Sequence, residues 1–315
     1  MKKLISILLI AASVLFLLSL CSCGENGGNT TQTTNNSGTK SSQSQQSAQS
    51  GEQSSNAPVY AKDGEMKMRI FKIGKDDSIL IRTSSSAILI DAGQDAKDAE
   101  KIIEYLAEKN ITKIDQLIIT RFDSSTIGGV PTLLNSVSVA KIIEPSYDKE
   151  SIAYTEYTAA LSAKGLVPEK LTEDRTVSFD DVSLKMCKSG LTSSTDGADS
   201  SYCMTVSVTH GNNKFFLCEG AGYERVNDIL KSDDLKHDFI LMPDHGVFDT
   251  NTEALLEAVS PKYAAIIDSS KHPADQATLT ALAALDVDFY RTSNGNIKIT
   301  SDRQKIEIEQ GSTAE

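Results

Sequence analysis

The sequence predicts an α/β fold in which two sheets pack face to face with helices on the outside. Strand-like and helical runs alternate along the chain in two roughly similar halves. Apolar residues recur either at every second position or on the helical period. The stretch Leu117 to Val130 (LIITRFDSSTIGGV) joins an apolar strand to a helix through a polar loop and a double glycine. That is how α/β enzymes present functional groups at strand ends. Elements of this kind bury their apolar faces only as packed layers, which gives the two sheets and their outer helices.

Met66 to Gly74 alternates apolar and polar residues and reads as a half-buried strand, followed by strands Asp77 to Arg82 and Ser86 to Asp91. Asp95 to Lys109 reads as a helix with Ala99, Ile102, Ile103 and Leu106 on one face and Asn110 as its C-terminal cap. Ile114 to Thr120 is a strand, and Gly128-Gly129 lets the backbone turn tightly into a short helix carrying Val130, Leu133 and Leu134. A strand at Val139 to Glu144 precedes a helix from Ser151 to Lys164, ended by Gly165.

In the second half, hairpins are expected at Thr176–Phe179 with Val182–Cys187, and at Cys203–Thr209 with Lys214–Cys218 through Gly211-Asn212, with a polar loop at 190–201 between them. Gly222 to Lys231 is helical, Phe239 to Met242 a strand, and Thr250-x-x-Glu253 a capping box that starts a helix to Val259. Strand Tyr263 to Ile267, helix Ala274 to Leu285, strand Val287 to Arg291 and a hairpin over 296–309 complete the chain.

Ahead of this domain, Met1-Lys2-Lys3 opens an apolar run to Leu20 that ends in Cys21-Ser22-Cys23-Gly24. The pattern is a secretory signal. Its end resembles the lipobox of bacterial lipoproteins, which makes Cys23 the lipidated residue and the membrane a partner through that lipid. An uncleaved membrane anchor is the alternative, and both place the rest of the chain outside the cytoplasm. Residues 24–63 are rich in Ser, Gln, Asn and Thr, a composition that cannot offset the entropy of ordering and predicts a disordered tether. The expected organisation is therefore signal 1–23, linker 24–63, one domain 64–310 and a tail 311–315.

The 315 residues carry 31 Lys and Arg against 43 Asp and Glu, for a net charge of −12, with no Trp and 6% aromatic residues. This argues against a nucleic-acid surface, which is basic and supplies stacking platforms. Cys187, Cys203 and Cys218 remain in the domain. Their odd number allows one internal pair at most, their spacings match no zinc pattern, and buried free thiols are the expectation.

The stretch Thr120-Arg121-Phe122-Asp123-Ser124-Ser125-Thr126-Ile127-Gly128-Gly129 resembles the main motif of the metallo-β-lactamase superfamily, in the branch found in ComEC-type competence proteins. There the loop reads Thr-His-x-His-x-Asp-His-x-Gly-Gly and holds two metal ions. Here Arg121 and Asp123 stand for the first two histidines, Ser125 for the aspartate and Thr126 for the last histidine. Other landmarks follow in the family's order: Leu89-Ile90-Asp91-Ala92-Gly93, Cys218-Glu219-Gly220, Pro243-Asp244-His245-Gly246 and His272-Pro273-Ala274. In the second of these the bridging aspartate's place falls on Gly220, with a carboxylate one position earlier at Glu219. Asp244 replaces a ligating histidine.

The resemblance implies a four-layer αββα sandwich, with a cleft formed by Asp91, Arg121, Asp123, Glu219, Asp244, His245 and His272. It also implies a scaffold whose ligands are lost, so the expected role is binding of a small ligand or a protein partner, without catalysis or cofactor. An arginine paired with Asp123, Asp244 or Asp91 would fill the hole left by the metals. The alternatives are Arg121 as a cation for a bound anion, and one divalent cation held by the carboxylates in a rebuilt hydrolase site. A role as accessory to DNA uptake is the third alternative. His210 and His237 are expected at the surface.

Overall fold

The computed structural model describes residues 57–191 and 198–311. The signal segment, Cys23 and residues 24–56 of the linker lie outside the described residues, as do 192–197 of the polar loop and 312–315 of the tail.

In the first half, strands β1 (Met66–Ile70), β2 (Ile79–Arg82) and β3 (Ala87–Ile90) lead into helix α1 (Ala96–Glu108). Strands β4 (Lys113–Ile114) and β5 (Gln116–Ile118) precede α2 (Ser124–Ile127) and α3 (Val130–Ser136). Then come β6 (Ser138–Val139), β7 (Ile142–Pro145), α4 (Ile152–Ala163) and β8 (Glu169–Leu171). The second half runs β9 (Arg175–Phe179), β10 (Val182–Cys187), β11 (Thr205–His210), β12 (Asn213–Leu217), α5 (Tyr223–Ile229), β13 (Phe239–Leu241), α6 (Thr252–Val259), β14 (Tyr263–Ile266), α7 (Gln276–Ala284) and β15 (Asp288–Arg291). The hairpin of β16 (Ile297–Ser301) and β17 (Ile306–Gln310) follows.

Two large sheets result, ordered β17-β16-β1-β2-β3-β5-β7-β8 and β15-β14-β13-β12-β11-β10-β9. The final hairpin returns to the first sheet, where β16 pairs antiparallel with β1 through Met68↔Ile299. Strand alternation decides the faces: Met66, Met68 and Ile70 of β1 point between the sheets, where they meet Val206, Phe215 and Leu241 of the second sheet. Strands β3 and β5 are buried along their whole length, as expected of central strands covered on both faces. Leu80, Leu89 and Leu117 face outward against Ile102 and Leu106 of α1, Leu133 of α3 and Tyr157 of α4. Phe216, Ile240 and Ala264 do the same against Val226 of α5, Leu255 of α6 and Leu282 of α7. The order is helix, sheet, sheet, helix, as the sequence predicts.

Several local expectations change. The double glycine has ordinary helical backbone at both positions, so it is not there for an unusual turn. A Cβ on Gly128 would lie 1.7 Å from the Gln94 carbonyl oxygen, and one on Gly129 2.0 Å from that of Ala92. Close approach to the β3–α1 loop is what demands glycine. The capping box does not form: α6 begins at Thr252 behind Asn251, which gives no side-chain cap, and Asp249 accepts from the Asn251 amide and the Thr252 hydroxyl instead. The linker boundary moves inward, because Val59 and Ala61 already donate to the Lys109 and Thr83 carbonyls. His210 and His237 are buried rather than superficial. His210 bonds Ser301 and Asp181, and His237 bonds Ser207 and the Leu235 carbonyl. Cys187, Cys203 and Cys218 are free thiols, the last two fully buried.

Candidate functional site

The ends of β5 and β12 meet where the two sheets open toward α2. The β5 strand ends at Ile118, and Thr120 and Arg121 leave the sheet edge before α2 starts. Asp123 caps α2: its carboxylate accepts from the Ser125 amide and hydroxyl. The Thr126 hydroxyl turns back to the Arg121 and Asp123 carbonyls. The loop's polar side chains therefore tie the loop to itself and fix the arginine.

Arg121 occupies the centre. Its side chain is 5% exposed and donates through every guanidinium nitrogen. Nη2 reaches Asp77 Oδ2 at 2.7 Å and the Ser125 hydroxyl at 3.0 Å, Nη1 reaches Glu219 Oε1 at 2.9 Å, and Nε pairs with Asp123 Oδ2. Asp77 and Glu219 are as buried as the arginine, while Asp123 is one-third exposed. A Cβ on Gly220 would lie 2.0 Å from Arg121 Nη1 and 2.7 Å from Cys203 Sγ. The guanidinium thus fills the space that a side chain at position 220 would need.

Three carboxylates around one cation leave an excess of negative charge in a dry site. Protonation resolves it. Burial, then the neighbouring Asp77 charge, pushes Glu219 up to about 8, and burial pushes Asp77 to about 6 against the pull of Arg121. Asp77 Oδ1 is buried with no hydrogen-bond partner among the described residues, so a proton on Glu219 would have an acceptor beside it. Asp123 moves the other way, held down by Arg121 and the Ser125 bonds despite its partial burial.

The remaining sequence-predicted residues divide. Asp91 does not line the cleft: it is fully buried behind it, accepts from the Thr120 amide and hydroxyl at 2.9 and 2.6 Å, and is raised by burial and by Glu219. Asp244 and His245 do line it, on the far wall. His245 accepts or donates at the Ile267 carbonyl, 3.2 Å away, and burial lowers its affinity for a proton. His272 is exposed in the turn closed by Ser269 and lies outside the cleft. Among the described residues Arg121 makes no ion pair with Asp91 or Asp244, the two other partners the sequence suggested.

Backbone strain gathers here too. Asp91 has φ 57°, and Asp244, His245 and Gly246 follow one another at 44°, 55° and 76°. Non-glycine residues in this region cost about 1–3 kcal/mol each and persist only where surroundings enforce them. The Asp244 amide donating to the Glu219 carbonyl at 2.7 Å is one such restraint.

Sequence reasoning misses Asp76 and Asp77. Asp76 lines the cleft and is pushed to about 7 by burial and by Asp98. The available signal was two adjacent carboxylates between Gly74 and an apolar strand. The cleft that these residues enclose is about 300 Å³. Val247 and Phe248, two and three positions after the cleft residue His245, are exposed at 47% and 36%.

This architecture defines a class of protein. Residues 74–201 match the family model described as the metallo-beta-lactamase superfamily. The structure is similar to the metallo-beta-lactamase fold protein YhfI from Bacillus subtilis, with a TM-score of 0.50 at 11% identity over 73% of this chain and 96% of that one. It is also similar to a metallo hydrolase from Ignicoccus hospitalis (0.47, 11%, 78% and 100%). Zinc-bound PqqB from Methylobacterium extorquens matches too (0.45, 11%, 68% and 85%). Among curated proteins none matches the chain. The chain therefore has the metallo-β-lactamase fold, and its residues 74–201 match the model of that superfamily.

Proposed function

We propose that this protein is a membrane-tethered, extracytoplasmic binding protein built on a metallo-β-lactamase fold that no longer holds metal. The observation that carries the proposal is Arg121 seated among Asp77, Asp123 and Glu219. A divalent ion 4 Å from a guanidinium would be repelled by roughly 8 kcal/mol at an effective dielectric of 20, and the guanidinium stays protonated. Among the described residues, no group of three or more His, Cys, Asp or Glu side chains is arranged to hold a metal. The charge of the arginine is already answered by Asp77, Asp123 and Glu219, which disfavours its use for a bound anion.

Binding then falls to the rim of the cleft, where exposed Asp244 and half-buried His245 precede the exposed apolar residues Val247 and Phe248 in the chain. An apolar patch rimmed by polar groups is the form of a small protein-contact surface. Attachment to the membrane rests on the lipobox-like end of the leader at Cys23.

Metal content of protein isolated from its native host without chelators, together with turnover of generic phosphodiester and ester substrates, tests the central claim. Substoichiometric metal and no turnover are expected. Stoichiometric zinc or manganese, with activity that disappears when the ion is stripped, would replace this reading with a hydrolase. Loss of membrane association on Cys23→Ser is the expected result for the anchor, and persistent association would remove it. No shift of DNA in a low-salt gel is expected; a shift would favour the DNA-uptake role.

A further inference from the structure

A second cleft lies on the outer face of the first sheet, between β16, β1 and β2 on one side and α1 on the other. Its volume is about 710 Å³, within the range of small-molecule sites. It shares no lining residue with the Arg121 cleft. Seven of its lining residues are Lys or Arg and three are Glu, in a chain whose acids outnumber its bases 43 to 31. A patch drawn at random from this chain would be negative.

The cations are fixed by strand register. Alternation turns Lys67 and Arg69 of β1 away from the inter-sheet core. Arg69 stands directly opposite Lys298 of β16, and Lys67 directly opposite Arg82 of β2. Like charges at opposed positions destabilise a sheet, and here two such pairs lie side by side. Part of the charge is answered within the fold. Lys101 pairs with Asp98 at 3.3 Å, Glu309 of β17 stands opposite Lys298, Glu104 and Glu108 line the groove from α1, and Glu65 lies 3.9 Å from Lys67.

The groove is also built rather than loose. Arg82 is 7% exposed, and it holds the Tyr105 hydroxyl at 2.9 Å and the Val59 carbonyl at 2.8 Å. Arg69 lies over the Tyr105 ring, its guanidinium carbon 4.1 Å from the centroid. Its Nε is buried with no hydrogen-bond partner among the described residues. A buried donor without a partner costs free energy that an arriving acceptor recovers. Burial also lowers the guanidinium's hold on its proton, more than Tyr105 and Glu108 restore it.

We propose that this groove binds a phosphate-bearing ligand, with Arg69, Lys67, Lys72 and Lys298 supplying donors to its oxygens. Several cations at fixed spacing suit a phosphate, with two free acceptor oxygens in a diester and three in a monoester, better than a single carboxylate. The same chemistry has two sources: a free phosphorylated compound, or the phosphodiester headgroup of an anionic lipid. The N-terminal segment joins the domain at the edge of this groove, through Val59, so a tethered domain would meet both.

Calorimetric titration of the intact protein in neutral detergent tests this with two probes, inorganic pyrophosphate and glycerophosphoglycerol. At least one is expected to bind, more weakly as salt rises, and about tenfold more weakly in Arg69→Gln and in Lys298→Gln. Pyrophosphate binding assigns the soluble source, and binding of glycerophosphoglycerol alone assigns the lipid headgroup. Lys72→Gln, outside the strands, gives the same weakening should a strand variant misfold. No binding of either probe at about 10 mM in low salt, or binding that all well-folded variants retain unchanged, overturns the proposal.

Discussion

Arg121→Met removes the charge at the centre of the cleft while keeping most of the side chain's volume. The three carboxylates it holds would remain, two of them fully buried. Removing one partner from a buried ion pair costs about 3–5 kcal/mol when the other charge stays in place. Here the cost depends on pH, and its sign follows from the shifts. Glu219 at about 8 and Asp77 at about 6 lie above their ordinary carboxyl values of 4.5 and 3.8. Groups raised in this way favour the folded state most at low pH, and that contribution is lost as pH climbs through the folded values. Without Arg121 the same carboxyls rise further, so the variant loses more stability than the native protein over the same climb. At about pH 5 both carboxyls are neutral and the variant forfeits roughly 1–2 kcal/mol of hydrogen bonding. At about pH 8.5 it must strand charge or take up protons, and the full 3–5 kcal/mol applies. In a domain of this size that is a fall in Tm of roughly 6–20 °C. Thermal unfolding of native and variant protein at both pH values measures it. A destabilisation that does not grow with pH, or a variant as stable as the native protein at the higher pH, refutes the charge cage.

Three further outcomes follow from particular contacts. Gly220→Ala pushes its new methyl into Arg121 Nη1 and should cost more in the native background than beside Arg121→Met, with a coupling of about 1–2 kcal/mol in a double-mutant cycle; additive costs would show that the two positions do not share space. Burial raises Cys203 and Cys218 and pushes Cys187 to about 11, so a thiol reagent near neutral pH should label these three only after unfolding; rapid native labelling of Cys203 would mean that the cleft floor opens. Tyr157→Phe removes the hydroxyl that donates to the buried Glu144 at 2.7 Å and should cost about 1–3 kcal/mol in urea unfolding, whereas no loss would mean that water replaces it.

The fold was legible because periodicity and burial agree. The β1 alternation is copied in its burial, and the apolar runs of β3 and β5 become strands covered on both faces. Boundaries were less so. One expected strand from Ile114 to Thr120 is two short ones, β4 and β5, that pair with different partners. The unusual Arg121 was visible in the motif, but its partners were not. Asp77 lies 44 positions earlier and Glu219 98 positions later, and no local pattern announces which carboxylates a folded arginine meets. The two buried histidines misled for the same reason: His210 ends a polar-looking hairpin, yet β16 brings Ser301 to its ring at 2.8 Å. The double glycine was located correctly and explained wrongly, since its requirement comes from Gln94 and Ala92, residues of a different loop.

On the proposed reading, the cage replaces a metal centre as a self-consistent unit. A divalent ion among these carboxylates would supply two charges, and the guanidinium supplies one. The difference is made up by the proton that Glu219 keeps near neutrality. Each part needs the others. A side chain at position 220 would collide with Arg121, whose buried charge is answered by Asp77 and Glu219 beside it. The planar fork matters as well as the charge, because three nitrogens reach three separate carboxylates in one plane. Arg121→Lys keeps the charge but offers a compact ammonium that cannot span Asp77, Asp123 and Glu219 together. It should therefore lose about 1–3 kcal/mol, less than Arg121→Met at about pH 8.5 and with a shallower pH dependence. A lysine variant as stable as the native protein would show that charge alone fills this site, and that its geometry is incidental.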